Sequence, residues 1–191
     1  MHLTPRIEQA LEKVARRHEG QYRKGEKKTP YITHLVSVAW IVSEYCNDED
    51  VVIAALLHDI IEDTNTLPED VERLFGARVK DIVLGVTIPQ AIGAVEWEKS
   101  RRAYGENLQN APYESAIVAA ADKIHNFSNA LREFRAHPND FKNQFSGKID
   151  DRIYVYGALV DIISEKLGEH PLQTRLNEIF EEYKTFLESL R

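Results

Sequence analysis

Seven consecutive apolar residues, Val51 to Leu57, run directly into His58-Asp59-Ile60-Ile61-Glu62-Asp63. Asn47-Asp48 supplies a cap ahead of that run, which therefore reads as a helix apolar nearly all round. Such a helix has to be covered on every side, so it belongs at the centre of a core with other elements wrapped around it. Those elements read as helices too. Thr4-Pro5 acts as N-cap and first helical residue for Ile7, Leu11, Val14, Ala15 and His18, which keep helical spacing until Gly20. Thr29-Pro30 repeats the start signal ahead of Ile32, Leu35, Val36, Ala39 and Val42, predicting a helix to about Tyr45.

Thr66 with Glu69 makes a capping box, Pro68 sits in the first turn and Gly76 marks a stop, while Val79, Ile82, Val83 and Val86 mark the next helix. Pro89 and Gly93 predict a loop, and Glu96 to Asn110 a charged surface helix. Pro112 opens a long helix in which Ile117, Val118, Ala120, Ala121 and Ile124 surround Asp122. Two further helices are expected at Lys148 to Leu167 and Pro171 to Leu190. No segment sustains the period-2 alternation of a half-buried strand, and no fixed repeat period is visible. The expected fold is all-α, a compact multi-helix bundle forming a single domain over residues 1–191, with no linker-like composition break.

Composition narrows the function. No apolar run approaches the roughly 18 residues of a membrane span, and Met1 to Gly20 is too charged for a secretory signal, so the expectation is a cytoplasmic protein with no membrane partner. The single cysteine, Cys46, excludes an internal disulfide and a thiolate cluster, which leaves nitrogen and oxygen ligands for any metal. A net charge of −7 argues against nucleic acid as a partner. Arg16, Arg17, Arg23, Lys24, Lys27 and Lys28 nevertheless concentrate positive charge in one stretch, which suits either a small anionic ligand or a solvated helix end and loop. The last helices have the periodicity either of a core cover or of a contact between copies in a homo-oligomer.

If helicity continues through Asp63, about 100° per residue brings His58 beside Glu62 and Asp59 beside Asp63, with all four inside an arc of roughly 140°. Carboxylates clustered in this way raise one another's pKa unless a cation joins them. The plainer alternative is an acidic helix end facing solvent. The negative end of the helix dipole and the preceding Ala54-Ala55-Leu56-Leu57 weigh against it. His34 and Asp122 are two more unusual polar residues, and each alone has an ordinary alternative: a satisfied histidine for the first, pairing with Lys123 or His125 for the second.

Taken together, His34, His58-Asp59 and Asp122 form the ordered pattern H…HD…D, and here the chain resembles the HD superfamily. That resemblance implies an all-helical, metal-dependent phosphohydrolase in which these four residues coordinate a divalent cation. Two imidazoles and two carboxylates suit Mn²⁺, Fe²⁺, Co²⁺ or Zn²⁺. Arg23-Lys24, Pro30-Tyr31-Ile32-Thr33-His34, His58-Asp59-Ile60-Ile61-Glu62-Asp63-Thr64, Phe75-Gly76, Val86-Thr87 and Ala121-Asp122-Lys123-Ile124-His125-Asn126 narrow it to the RelA/SpoT-type hydrolase domain, in its small hydrolase-only form, over about residues 15–160.

The narrower resemblance implies removal of the 3′-pyrophosphate of ppGpp with Mn²⁺ as cofactor. It implies that Glu62 and Asp63 position or activate the attacking water, that Arg23 and Lys24 hold the nucleotide and its phosphates, that Asn126 contacts substrate, and that Arg152 and Tyr156 support it. Leu35 stands where that family more often has proline. Two other readings keep the same residues: an HD enzyme acting on a nucleoside monophosphate or NADPH, and a non-catalytic helical domain that binds a nucleotide. The intact Glu62-Asp63 pair weighs against the second.

Overall fold

The structure is a computed structural model that describes residues 2–24, 28–88, 97–145 and 148–191. Lys27, the predicted loop at Pro89 and Gly93, and the predicted helix start at Glu96 lie outside the described residues. The helices are α1 (Pro5–Arg17), α2 (Ile32–Tyr45), α3 (Glu49–Leu57), α4 (Ile60–Asp63), α5 (Pro68–Phe75), α6 (Ala77–Gly85), α7 (Trp97–Asn110), α8 (Tyr113–Phe134), α9 (Pro138–Gln144), α10 (Ile149–Leu167) and α11 (Pro171–Glu188). Among the described residues the only extended pairing is an isolated bridge between Tyr22 and Pro30, so the chain is all-α as expected.

The central position of α3 follows from its composition. Asp48 caps it by accepting from the Asp50 N–H at 3.0 Å, and every residue from Val51 to Leu57 is buried. Helices α1, α2 and α6 pack around it. Helix α8 repeats the device, being buried on all sides from Ser115 to Ile124, and α2 packs against both α3 and α8. The two buried helices and α2 thus form the inner frame. Helices α10 and α11 pack on α8, and α7 closes on α10. No described helix is long and apolar enough to cross a membrane.

Several local expectations differ from the structure. Helix α3 does not continue to Asp63: it stops at Leu57, Asp59 takes φ −99° and ψ 0°, and α4 begins at Ile60. Thr29-Pro30 does not start α2, because Arg23 N–H donates to Thr29 O and Tyr31 N–H to Gln21 O, both at 2.9 Å, drawing these residues into the bridge. The capping box at Thr66 is not made. Thr66 is buried and accepts from the Thr64 hydroxyl at 2.9 Å, which leaves Leu67 as the N-cap of α5. Helix α9 was not expected, since its one core residue is Phe141, packed among Phe134, Phe145 and Phe186, and a single apolar residue carries no periodicity.

Helix α6 lies close to the start of α8 at Gly85. A Cβ there would stand 2.5 Å from Ala111 Cβ and closer still to Ser115 Oγ, which itself donates to Ile82 O at 2.9 Å. Gly85→Ala is expected to destabilise the fold by about 1–3 kcal/mol through overpacking. A thermal melt reads this directly, and an unchanged melting temperature would mean that the two helices separate freely.

Candidate active site

The break after α3 has a consequence for His58 and Asp59. A regular helix would turn successive side chains about 100° apart; the turn at Asp59 instead lets both face one point. Helix α2 brings His34 to that point from its first turn, and α8 brings Asp122 from its buried middle. His58 Nε2 lies 3.2 Å from His34 Nε2, 3.1 Å from Asp59 Oδ2 and 3.8 Å from Asp122 Oδ1. His34 Nε2 lies 3.2 Å from Asp122 Oδ1 and 3.6 Å from Asp59 Oδ2.

The opposite ring nitrogens show which atoms are available. His58 Nδ1 is 2.8 Å from Ala55 O, so it carries a proton and donates, leaving Nε2 as the atom directed at the cluster. His34 Nδ1 is 2.8 Å from His125 Nδ1. Burial drives the His125 pKa down to about 3 and lowers that of His34, so both rings are neutral and one proton is shared across the pair. With that proton on His34 Nδ1, its Nε2 is also a free acceptor. Once a cation displaces the remaining His58 proton, two imidazole lone pairs and two carboxylate oxygens converge on it.

The electrostatics point the same way. Burial opposes protonation of His58, yet Asp59 and Asp122 outweigh it and push its pKa up to about 9. Burial likewise works against ionising Asp59 and Asp122, but the histidines, and Lys123 for Asp122, hold both below the ordinary carboxylate range. The pocket therefore demands a positive charge at its centre, and the donor set fits a divalent cation.

The carboxylates are held from outside. Tyr31 Oη donates to Asp59 Oδ2 at 2.6 Å, Lys123 Nζ to Asp122 Oδ2 at 2.6 Å, and Asn126 Nδ2 to Asp122 Oδ1 at 2.5 Å. Lys123 is thus the ordinary partner that sequence considered for Asp122, in addition to the histidines rather than instead of them.

A cavity of about 420 Å³ opens from this cluster. Glu62 and Asp63 reach it from α4, so the pair shares the site even though the helix is interrupted. Burial raises the pKa of both carboxyls, with Asp59 adding to the effect. Glu62 Oε2 accepts from the Ile88 N–H at 3.2 Å, and Gln21 Nε2 donates to the Asp63 carbonyl at 2.9 Å.

The rest of the lining is cationic and aromatic. Arg23, Lys24, Asn126, Arg152 and Tyr156 all belong to it, as the sequence expects. Arg23 Nη2 donates to Asn126 Oδ1 at 2.7 Å. Lys24 Nζ stands 4.9 Å from the Phe145 ring centre, and burial together with Arg152 and Arg101 lowers its pKa. The Arg152 guanidinium is caged by Trp97, Phe145 and Phe141 at 4.9, 5.1 and 5.7 Å. Tyr156 packs edge-on against Trp97 and Phe127. Among the described residues of the basic stretch, only Arg23 and Lys24 enter the cleft, while Arg16 pairs with Glu12 at the surface. Sequence reasoning missed Arg101 and the hydrogen bond from Tyr31. Arg101 sits in a helix read as solvated, and nothing local distinguishes it from Arg102.

The HD domain family model matches residues 10–151 of the chain. The chain belongs to the HD domain family. Among its relatives, the guanosine-3′,5′-bis(diphosphate) 3′-pyrophosphohydrolase MESH1 of Drosophila melanogaster is 38% identical over 175 residues, covering 90% of this chain and 91% of that protein. The bifunctional (p)ppGpp synthase/hydrolase SpoT of Escherichia coli is 31% identical over 180 residues, which are 91% of this chain but 23% of that longer protein. A solved structure of a metazoan ortholog of SpoT that hydrolyzes ppGpp superposes with a TM-score of 0.78 at 28% identity, covering 95% of this chain and 97% of that one. This HD domain protein is accordingly a hydrolase of that family, with the all-helical fold of its relatives.

Proposed function

We propose that this chain, acting as one domain over residues 1–191, hydrolyses ppGpp at its 3′-pyrophosphate with Mn²⁺ as cofactor, yielding GDP and pyrophosphate. The observation that carries the proposal is the pairing of two kinds of lining in one cavity. A cation-demanding cluster of His34, His58, Asp59 and Asp122 shares a space the size of a nucleotide with Arg23, Lys24, Arg101 and Arg152. The 38% identity to a ppGpp hydrolase over nearly the whole chain supports the same substrate.

A divalent cation would supply Lewis acidity and would lower the pKa of a water. His34, His58, Asp59 and Asp122 would hold it, and none of them is the nucleophile. Glu62, whose pKa burial raises, takes a proton from the attacking water with Asp63 orienting it. Attack at the phosphorus bonded to the 3′ oxygen breaks that P–O bond, and the proton passes to the departing 3′ oxygen. Arg23 pairs phosphate oxygens in a fork and lies beside the purine, Lys24 adds a compact charge, and Arg152, held by its aromatic cage and supported by Tyr156, completes the charge balance. Asn126 stands between Arg23 and Asp122, able to orient both.

Incubating the purified, Mn²⁺-loaded protein with ppGpp and separating the products by anion-exchange chromatography tests this. GDP and pyrophosphate in equal amounts, abolished by chelation, are expected. Intact ppGpp under metal-replete conditions would remove the substrate assignment, and orthophosphate in place of pyrophosphate would point to a different bond.

A further inference from the structure

Tyr31, the residue ahead of α2, contacts both sides of the proposed site. Its hydroxyl donates to Asp59 Oδ2 at 2.6 Å, and this is the same oxygen that lies 3.1 Å from His58 Nε2 and 3.6 Å from His34 Nε2. Its ring stacks on the buried His18 with centroids 5.4 Å apart and planes at 19°, and meets the His34 ring edge-on at 5.5 Å. The Arg23 guanidinium carbon stands 5.7 Å from the same ring centre. The bridge between Tyr22 and Pro30 makes this meeting unavoidable, since it lays Arg23 alongside the segment that carries Tyr31.

A phenol needing an acceptor could be satisfied by a backbone carbonyl. Here it reaches a carboxylate oxygen that faces both imidazoles, as Asp122 Oδ1 does from the other side. A carboxylate oxygen has two lone-pair directions, so the hydroxyl can fill one, fix the side-chain rotation, and leave the other for a cation. Asp59 gains from this more than a helical residue would, because it sits in the turn between α3 and α4, where no regular helix geometry orients it.

We propose that Tyr31 is a positioning residue that serves the two halves of the site with different atoms: its hydroxyl orients the cation-facing oxygen of Asp59, and its ring seats Arg23 for the nucleotide. The proposal rests on the metal-dependent hydrolase reading above.

The two roles separate by substitution. Tyr31→Phe removes the hydroxyl and keeps the ring; Tyr31→Leu removes both. Calorimetric titration of metal-free protein with Mn²⁺ should show affinity about 10- to 100-fold weaker for Tyr31→Phe, the usual consequence of removing a hydrogen bond to a metal ligand. The Mn²⁺-induced rise in melting temperature should shrink in step. At saturating Mn²⁺ the KM for ppGpp should match the wild type in Tyr31→Phe and rise about two- to fivefold in Tyr31→Leu, the scale of a cation–π contact.

Wild-type Mn²⁺ affinity in Tyr31→Phe would overturn the hydroxyl role. A raised KM in Tyr31→Phe at saturating Mn²⁺ would overturn the division between hydroxyl and ring, and this comparison decides the matter even where Tyr31→Leu does not fold. A wild-type protein that binds no Mn²⁺ is a distinct result, removing the cation site itself and this role with it.

Discussion

Asp59→Ala is expected to abolish metal binding and turnover together, with kcat/KM falling by at least about 10³-fold, roughly 4 kcal/mol of barrier. Asp59 Oδ2 is the carboxylate oxygen closest to His58 Nε2, at 3.1 Å, and it also faces His34 Nε2 at 3.6 Å. Without it the site keeps two neutral imidazoles and Asp122, whose charge is already shared with Lys123 at 2.6 Å. That leaves too little negative charge to compensate the dehydration of a divalent cation. The substitution also removes the hydrogen bond from the Tyr31 hydroxyl to Asp59, so a modest loss of stability accompanies the loss of function. Metal content by mass spectrometry, with circular dichroism to establish that the helices persist, is the measurement. A folded Asp59→Ala protein that retains one equivalent of Mn²⁺ and wild-type turnover would exclude Asp59 from the metal site.

Glu62→Gln should separate the proton acceptor from the ligands. The side chains have the same shape, and glutamine can still accept from the Ile88 N–H that Glu62 holds at 3.2 Å, so the cleft should keep its form. Metal content is then expected to equal the wild type, while kcat falls by about 10²- to 10⁴-fold, the usual contribution of a positioned general base. The pattern is opposite to that of Asp59→Ala, which loses both. If kcat is unchanged, Glu62 leaves the mechanism and Asp63, which lines the same cavity with a similarly raised pKa, becomes the acceptor. If metal content falls instead, Glu62 is acting as a ligand.

The predictions differ in how much of their basis can be read along the chain. The all-helical class, the central place of Val51–Leu57 and the burial around Asp122 are periodic properties of single segments, and each stands in the structure. The H…HD…D pattern likewise survives, since four residues in order can be recognised without knowing how far apart they fold. The interruption after Leu57 could not be read this way: no Gly or Pro marks it, and the meeting it allows, of His58 and Asp59 with His34 and Asp122, joins residues far apart in the chain. Thr66 carried a correct capping signal and lost it to a nearer competitor, the Thr64 hydroxyl.

What the sequence by itself determined, then, is the longer helices and which polar residues are forced inward, because both follow from the spacing of apolar residues within one segment. Only the tertiary structure decided that Arg101 joins Arg23 and Arg152, which the family resemblance had implied, beside the carboxylates. Arg23, Arg101 and Arg152 come from three separate parts of the chain, and Arg101 lies on a helix whose composition reads as solvated. A charged side chain follows whichever face its helix turns toward a neighbour, and that rotation is set by how α7 packs on α10 and α8 on α2. The hydrogen bond from Tyr31 to Asp59 has the same origin, in the bridge that carries the basic segment over the end of α3.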